Sequence, residues 1–300
     1  MWKFRKDSDG YETTEESIES ISTFSDCVKY VWEIKWRKGR DTLQRKYSQY
    51  IEEEFPWFRG VRDIKYDLIP GLYWLFSSKD EDQIKNIAED IREEFRRRGE
   101  YYFRESHRVL EEGEWFQLMQ HYGVPTRLLD WTEGALIALY FAIRMLAFGK
   151  DKTTKAVPCV WMLNPSWLNH ESIKTSLPVY ITEAAMNKYP KTDGQARKYL
   201  DEKDLPDNPI AMYPIHIDLK IHAQKSVFTI HGRIQNAFHE LCLSNPEAEI
   251  CRLVINPGKI ADIAEELRLM GITESTIFPE LKGLANEIRN EKGIHFSFDR

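Results

Sequence analysis

The pattern of apolar and polar positions changes abruptly at residue 135. Ala135–Phe148 are nearly all apolar, with almost no polar face, and a helix that is apolar all round belongs inside a protein. The residues directly before it, QHYGVPTRLLDWT at 120–132, are dense in groups that bind ligands or do chemistry. The chain therefore predicts a central buried helix joined directly to a polar cluster, and rigid support of that kind suits a site.

The polar cluster predicts a short helix at 115–121 that ends at Gly123, followed by an extended segment. Asp130 and Glu133 are spaced as in a capping box that would open the next helix. A purely structural interpretation stays open beside the functional one. In that interpretation Asp130 only caps, Arg127 only pairs with Asp130, and His121 only lies favourably at a helix end.

Other stretches carry strand-like runs and amphipathic helical spacings that are interleaved without a regular βαβ order. This order favours an α+β fold over a doubly wound sheet. We expect a mixed, mainly antiparallel sheet packed around the buried central helix. Strands are predicted at 57–62, 156–163, 213–217, 226–231 and 250–255, and helices at 84–95, 260–270 and 281–290.

The chain divides into three parts by composition. Residues 1–22 are polar and acidic and are expected to form an N-terminal arm, as a short strand or a loose segment. Residues 23–290 are expected to form one domain, with an irregular insertion at about 169–209 that carries four prolines and one helix near 182–188. Residues 291–300 are expected to be a C-terminal tail.

Composition and charge limit the classes of function. The net charge of −6 argues against a dominant nucleic-acid-binding surface but leaves room for a local basic cleft. The four cysteines show no CxxC spacing, so each is expected to be a small buried hydrophobic residue in a reducing cytoplasm. The first twenty residues lack a signal-peptide core, and the longest apolar run is too short to span a bilayer.

Several familiar site patterns are missing from the sequence, namely GxGxxG, GxxxxGK[ST], HExxH and GxSxG. A Rossmann cofactor, a P-loop nucleotide, a zincin metal and a nucleophile elbow therefore have no support, and no metal is predicted. His216, His222 and His231 lie in or beside predicted strands and are expected to be partly exposed.

The remaining polar groups suggest a binding site. Arg59 stands in an aromatic run and needs a carboxylate partner or an anionic ligand, and Gly60 after it permits close backbone approach. Arg59 and Arg127 can each hold a phosphate bidentately. His121 and Tyr122 can hydrogen-bond a ribose or an amide, and an aromatic face can stack on a base.

These motifs resemble a known family, the FRG domain. The resemblance is carried by Phe-Arg-Gly at 58–60, QHYGVPTRLLDWT at 120–132, QKSVFTIHG at 224–232 and FPELKGL at 278–284, and it covers roughly residues 23–290. The family usually has Arg where this chain has Lys220, which keeps the charge but loses the guanidinium fork. The resemblance implies a bacterial or phage-associated, cytoplasmic protein with toxin or phage-defence roles.

A weaker resemblance is to ADP-ribosyltransferases of the Arg-Ser-Glu class, which also place an Arg-Gly pair on their first strand. Their Ser-Thr-Ser and Glu-x-Glu motifs are not evident here, although residues 247–249 have the Glu-x-Glu form. We expect Arg59, the 121–132 block and Gln224 to converge on one cleft.

The leading interpretation is an NAD-consuming enzyme, either an ADP-ribosyltransferase or an NAD glycohydrolase. Breaking the nicotinamide–ribose bond passes through an oxocarbenium-like state, so the site needs a phosphate grip and a carboxylate near the ribose. Glu280 is the first candidate carboxylate and Asp130 the second, with His121 as the third candidate catalytic group. The expected nucleotide-binding residues are Arg59, Gly60, Tyr122, Arg127, Thr132 and Gln224.

Two alternatives come from other classes. A non-catalytic nucleotide- or nucleic-acid-binding sensor would share the pocket but needs no carboxylate at the reacting carbon. A nuclease would need clustered acids for a metal, and the sequence offers no such cluster. The acceptor of a transferred group, whether protein, nucleic acid or water, and the oligomeric state are open at this point.

Overall fold

A nine-stranded sheet forms the centre of the protein. The computed structural model describes residues 2–47, 55–106, 109–148, 155–174, 179–180, 206–215 and 219–293. The strands are β1 (Phe4–Lys6), β2 (Glu12–Thr14), β3 (Trp57–Val61), β4 (Leu128–Thr132), β5 (Cys159–Leu163), β6 (Val179–Tyr180), β7 (Ile210–Tyr213), β8 (Ser226–Ile230) and β9 (Ile250–Val254). Their order is β1-β2-β9-β5-β3-β4-β8-β7-β6.

All neighbouring strands are antiparallel except the pairs β2–β9 and β6–β7. The prediction of a mixed, mainly antiparallel sheet in an α+β fold is therefore confirmed. The described helices are α1 (Ile21–Tyr30), α2 (Arg37–Tyr47), α3 (Gly71–Leu75), α4 (Glu81–Gly99), α5 (Glu112–His121), α6 (Ala135–Phe148), α7 (Pro165–Ile173), α8 (Leu219–Ala223), α9 (Ala237–Ser244), α10 (Ile260–Leu269), α11 (Glu274–Ile277) and α12 (Leu281–Glu291).

The predicted central helix is α6, with the predicted bounds. Its middle part, between Ile137 and Ile143, is buried except for the partly buried Phe141, and Leu139 and Ala142 are completely inaccessible to solvent. It packs on β3, and α10 covers it from the other side. Its C-terminal turn is more open, with Met145 half exposed, so the burial that the apolar pattern predicts holds for the middle part of the helix.

Gly60 explains how closely α6 approaches the sheet. A Cβ atom at this position would lie 1.9 Å from the carbonyl oxygen of Ala138 and 2.6 Å from the amide nitrogen of Ala142. Only a residue without a side chain allows two backbones to meet at that distance. The close approach that Gly60 permits is therefore the packing of β3 against α6.

The sheet separates two apolar cores, as the alternation of side chains along a strand requires. Phe58 and Met162 pack with α6, whereas Trp57 and Trp161 pack on the opposite face. On that second face Arg252, 3% exposed, forms an ion pair with Asp7. Asp7 lies between β1 and β2, so this ion pair stabilises the packing of both strands on the sheet. Both strands fall within the predicted N-terminal arm.

Several local predictions need correction. Ser20 caps α1, and a π-helical segment, Val31–Lys35, follows it. Residues 219–223, which lie between two predicted strands, form α8. The strand predicted at 213–217 is β7 at Ile210–Tyr213. The helix predicted near 182–188 lies outside the described residues, and the domain boundaries stay a prediction.

Candidate functional site

A cleft of about 350 Å³ opens where β3 and β4 diverge beside α6. The end of α5, helix α8, the start of β8 and the loop before α12 complete its walls. A volume of this size is at the lower end of the range for ligand pockets. Its lining consists of Phe58, Arg59, Gly60, Gln117, Gln120, His121, Asp130, Trp131, Thr132, Phe141, Lys220, Ile221, Gln224, Ser226, Phe228 and Phe278.

The strands diverge because β3 and β4 pair at a single position, Phe58 with Thr132. Where the ladder would continue, the Nη1 atom of Arg59 donates a hydrogen bond of 2.7 Å to the carbonyl oxygen of Asp130. A strand carbonyl that has no partner in the ladder needs another donor. Arg59 thus replaces the missing backbone donor and holds the gap between the strands open.

The surroundings of Arg59 are unusual for a cation. Burial lowers the pKa of its guanidinium, and the nearby Asp130 carboxylate opposes that shift. Its Nε atom is buried without a hydrogen-bond partner among the described residues. The need for compensation predicted for Arg59 is therefore met in part by Asp130, through both a backbone carbonyl and a nearby carboxylate.

The Asp130 carboxylate faces the cleft and is held by a chain of hydrogen bonds. Gln120 Nε2 donates to Asp130 Oδ2 at 2.7 Å. Thr126 Oγ1 donates to Gln120 Oε1 at 2.6 Å and accepts from the amide of Leu128 at 3.0 Å. Because the Thr126 hydroxyl must donate to the Gln120 oxygen, the Gln120 amide group is directed at Asp130.

The pKa of Asp130 is raised, although its side chain is exposed to the cleft. Protein atoms around the carboxylate desolvate it and raise the pKa, while Arg59, the Gln120 hydrogen bond and Lys220 act in the opposite direction. A carboxyl whose pKa is moved toward neutrality is a typical general base or acid.

Asp130 is not the cap of α6, because it lies in the middle of β4. The hydroxyl of Thr132 instead accepts a hydrogen bond of 2.9 Å from the amide of Gly134, just before the helix. Thr132 also donates to the carbonyl of Gln224 at 2.6 Å. Asp130 therefore has no capping role, and its carboxylate is directed into the cleft.

Gln224 connects two walls of the cleft. Its Nε2 atom donates to the carbonyl of Ile277 at 3.3 Å, so the turn after α8 is joined to the loop that carries Phe278. The Phe278 ring lies 5.9 Å from that of Phe141 in an edge-to-face arrangement. The Lys220 ammonium lies 5.8 Å from the centre of the Phe278 ring.

Six of the predicted site residues line the cleft, namely Arg59, Gly60, His121, Asp130, Thr132 and Gln224. Their roles stay a prediction. His121 ends α5 and packs edge-to-face on Tyr122, with ring centres 4.9 Å apart.

Three predicted residues do not line the cleft. Tyr122 is 70% exposed and lies on the far side of the α5 end, because the chain turns there. Arg127 directly precedes β4, and its side chain points to the face of the sheet opposite to that of Asp130. It is 2% exposed and donates to the carbonyl of His231 at 2.8 Å. Glu280 is exposed at the start of α12, two residues beyond Phe278.

Two cleft residues that sequence reasoning missed are Gln117 and Phe278. Gln117 is fully buried and exchanges two hydrogen bonds with the backbone of Ile215. It stands three residues before Gln120 on α5, and this helical spacing places both amides on one side. Phe278 belongs to the FPELKGL block, in which the predicted site residue is Glu280, two residues later.

The buried residues also correct one expectation and confirm another. His222 is exposed, as predicted, but His231 is completely buried and both ring nitrogens lack a partner among the described residues. Burial, followed by nearby Arg127 and Arg59, lowers the pKa of His231 to about 3. All four cysteines are buried thiols, as expected.

Searches for two other features give no candidates within the described part of the chain. No group of three or more His, Cys, Asp or Glu side chains there is arranged to hold a metal ion. None of the described helices has the length and apolar character needed to cross a membrane.

The fold and the cleft define a mixed α+β protein with a polar site at a break in its sheet. Residues 55–149 match the model of the FRG domain, which supports the resemblance to that family over that range. The blocks at 224–232 and 278–284 lie outside the match. No curated protein and no solved structure matches the chain, and the resemblance to ADP-ribosyltransferases stays a prediction.

Proposed function

We propose that the cleft binds NAD and cleaves its nicotinamide–ribose bond, with Asp130 as the carboxylate. The observation that carries this proposal is the position of Asp130, whose carboxylate faces the cleft and is oriented by Gln120. Asp130 replaces Glu280 as the first candidate because Glu280 is outside the lining of the cleft.

The chemistry requires little of the protein beyond orientation and charge. The bond between C1′ of the ribose and the nicotinamide nitrogen breaks, and the electron pair leaves with nicotinamide. The Asp130 carboxylate stabilises the positive charge that develops on the ribose and accepts a proton from the attacking water or acceptor hydroxyl. Comparable charge stabilisation by carboxylates operates in glycoside cleavage.

A nucleotide suits the remaining groups of the cleft. The Gln224 side-chain amide lies in one small pocket with the Phe278 and Phe141 rings, whereas the Gln117 and Gln120 amides are engaged inside the protein. Amides can pair with a carboxamide or a base edge, and rings can stack on a planar group. Lys220 supplies positive charge for a phosphate, and Arg59 adds to the positive potential of the cleft.

A second candidate function is a nucleotide sensor without turnover, and one observation favours it. Among the described residues that line the cleft, Asp130 is the single carboxylate, and it already has Gln120, Arg59 and Lys220 around it. An acid occupied in this way can serve to shape a binding pocket. The toxin or phage-defence role and the cytoplasmic location implied by the family resemblance fit either function and stay proposals.

The test is to incubate the protein with NAD, quantify free nicotinamide by chromatography, and measure NAD binding by calorimetry. We expect nicotinamide release by the wild type and a loss of about a hundredfold or more in Asp130→Asn. Asp90→Asn, an exposed acid on α4, is the matched control and should keep full activity.

The outcomes separate the two functions. Release that depends on Asp130 supports the enzyme. Binding of NAD without release favours the sensor, and full activity in Asp130→Asn removes Asp130 from the chemistry. Absence of both binding and release overturns the proposal.

The pH dependence gives an independent check. Because the pKa of Asp130 is raised, the active carboxylate form appears only at pH values above those at which an ordinary aspartate ionises. The rate of nicotinamide release should therefore rise with pH through a higher midpoint than about 3.9, the ordinary value. A rate that is flat from pH 4 upward would contradict the role of Asp130 as a base.

A further inference from the structure

We infer that the cleft holds one nucleoside-phosphate half of its ligand, with the planar ring on Phe278 and the phosphate at Lys220 rather than at Arg59. This inference rests on the proposed function and specifies which part of the nucleotide the cleft contacts. It assigns the phosphate contact to the position at which the FRG resemblance is weakest.

Arg59 is already engaged as a structural element of the sheet. Its Nη1 atom donates to the Asp130 carbonyl at 2.7 Å, and its Nε atom is buried. A bidentate grip on a phosphate needs two outward-facing donors of the guanidinium. Turning Arg59 to present them would leave the Asp130 carbonyl without its donor. Arg59 is therefore a positioning residue for β4.

Lys220 has the freedom that Arg59 lacks. It is half-buried on the short helix α8 at the wall of the cleft. Within the described part of the chain its ammonium makes no hydrogen bond or ion pair at contact distance. Its neighbours are the Phe278 ring and the more distant charge of Asp130. An ammonium with three rotatable donors can turn toward an incoming phosphate without breaking the fold.

Phe278 provides a rigid surface for a planar ring. Gly283, on the first turn of α12, holds the backbone of Phe278 closely, because a Cβ atom there would lie 2.0 Å from the Phe278 carbonyl oxygen. Phe141 packs against one edge of the ring, and the Arg144 guanidinium lies 4.8 Å from its centre. A ring fixed in this way loses little freedom when a base stacks on it.

The position of Lys220 over the ring links the two contacts. Its ammonium lies over the Phe278 ring, 5.8 Å from the ring centre. A base that stacks on that face takes the place of the ammonium, which then turns toward the phosphate on the adjoining sugar. The cleft of about 350 Å³ has room for such a unit, and the second half of a dinucleotide would lie at its open side.

The test uses two probes that differ only in the phosphate, nicotinamide mononucleotide and nicotinamide riboside. Calorimetry gives the affinity of each for wild type, Lys220→Ala, Lys220→Arg, Phe278→Leu, Arg59→Lys and the exposed control Lys282→Ala. Melting curves of every variant confirm that it is folded.

We expect Lys220→Ala to weaken the mononucleotide by roughly tenfold to a hundredfold and the riboside by less than about threefold. Lys220→Arg should keep most of the difference between the probes. Phe278→Leu should weaken both probes alike, by roughly fivefold to a hundredfold. Lys282→Ala should match the wild type.

Several results would overturn the inference while leaving the proposed function intact. They are equal affinity of the wild type for both probes, an equal loss of both in Lys220→Ala, or loss of the phosphate preference in Arg59→Lys. Failure of both probes and of NAD to bind the wild type would overturn the inference and the proposed function together.

Discussion

The cleft and a second cavity lie on either side of the end of α5, and they are built in different ways. The second cavity, here named the α4–α5 groove, is larger, at about 630 Å³, and its lining is mostly apolar. Phe95, Trp115 and Leu118 form its floor. The cleft is smaller but collects a carboxylate, cations and amides. Size alone therefore says little about chemistry.

The two cavities also differ in what their glycines touch. A Cβ atom added at Gly60, in the wall of the cleft, or at Gly283, behind Phe278, would meet a backbone carbonyl oxygen. A Cβ atom added at Gly99, at the groove, would lie 2.8 Å from the Trp115 ring. Backbone cannot yield without moving a strand or helix, but a side chain can rotate. The comparison suggests a rigid cleft, as pre-organised sites require, and an adaptable groove.

The largest expected effect is that of Gly60→Ala. Its new methyl group would collide with the α6 backbone, so we expect the free energy of unfolding to fall by about 3 kcal/mol or more, the upper end for overpacking. Denaturant melts would measure this. Gly71→Ala is the control, since a Cβ atom there meets nothing within 4 Å. Equal stability of the two variants would refute the idea of a rigid cleft wall.

Gly283→Ala should have an intermediate effect. Alanine favours a helix, but the added methyl would displace the Phe278 carbonyl. We expect a loss of roughly 1–3 kcal/mol in stability and weaker binding of nicotinamide riboside, because the Phe278 ring moves. Calorimetry on the folded variant would check the second part. Unchanged binding would show that Phe278 is not a contact surface.

His231→Leu should raise stability at neutral pH by about 1 kcal/mol, since a buried group without a partner is replaced by an apolar one. The wild type should lose stability as pH falls from about 6.5 toward 3. In that window His231 is protonated in the unfolded chain but stays neutral in the folded protein. The free energy of unfolding therefore falls by up to roughly 1.4 kcal/mol per pH unit. Urea melts across this window should show a flatter profile in the variant. An unchanged slope would assign the acid sensitivity elsewhere.

The smallest expected effect is that of Gly99→Ala at the α4–α5 groove. Its methyl group meets only the edge of the Trp115 ring, which can shift. Stability should change by less than about 1 kcal/mol, and NAD binding should be unaffected. A loss as large as that of Gly60→Ala would show that the groove is as rigid as the cleft.

Much of the fold could be predicted from periodicity. The bounds of α6 and the positions of β3, β5, β8 and β9 follow from apolar runs whose burial does not depend on distant partners. The helical spacing from Ile84 onward also predicted α4. The ends of strands were less predictable, because they depend on where a neighbouring strand stops.

The site was predictable only in part, for a specific reason. Clustering on the sequence brought out Arg59 and Asp130, but it could not show on which face of the sheet each side chain lies. Arg127 illustrates this limit. It stands three residues from Asp130 and yet faces the opposite side. Glu280 illustrates a second limit. The sequence does not show which way the chain runs as it enters α12, and in the structure Phe278, not Glu280, lines the cleft.

The single pairing between β3 and β4 has a consequence for how the protein is made. Both strands lie within residues 55–149, but β3 depends on β5 for its ladder and β4 depends on β8. Such long-range contacts form late during synthesis from the N-terminus. The last wall of the cleft arrives only with Phe278. A growing chain on the ribosome therefore has no finished cleft until Phe278 has been added.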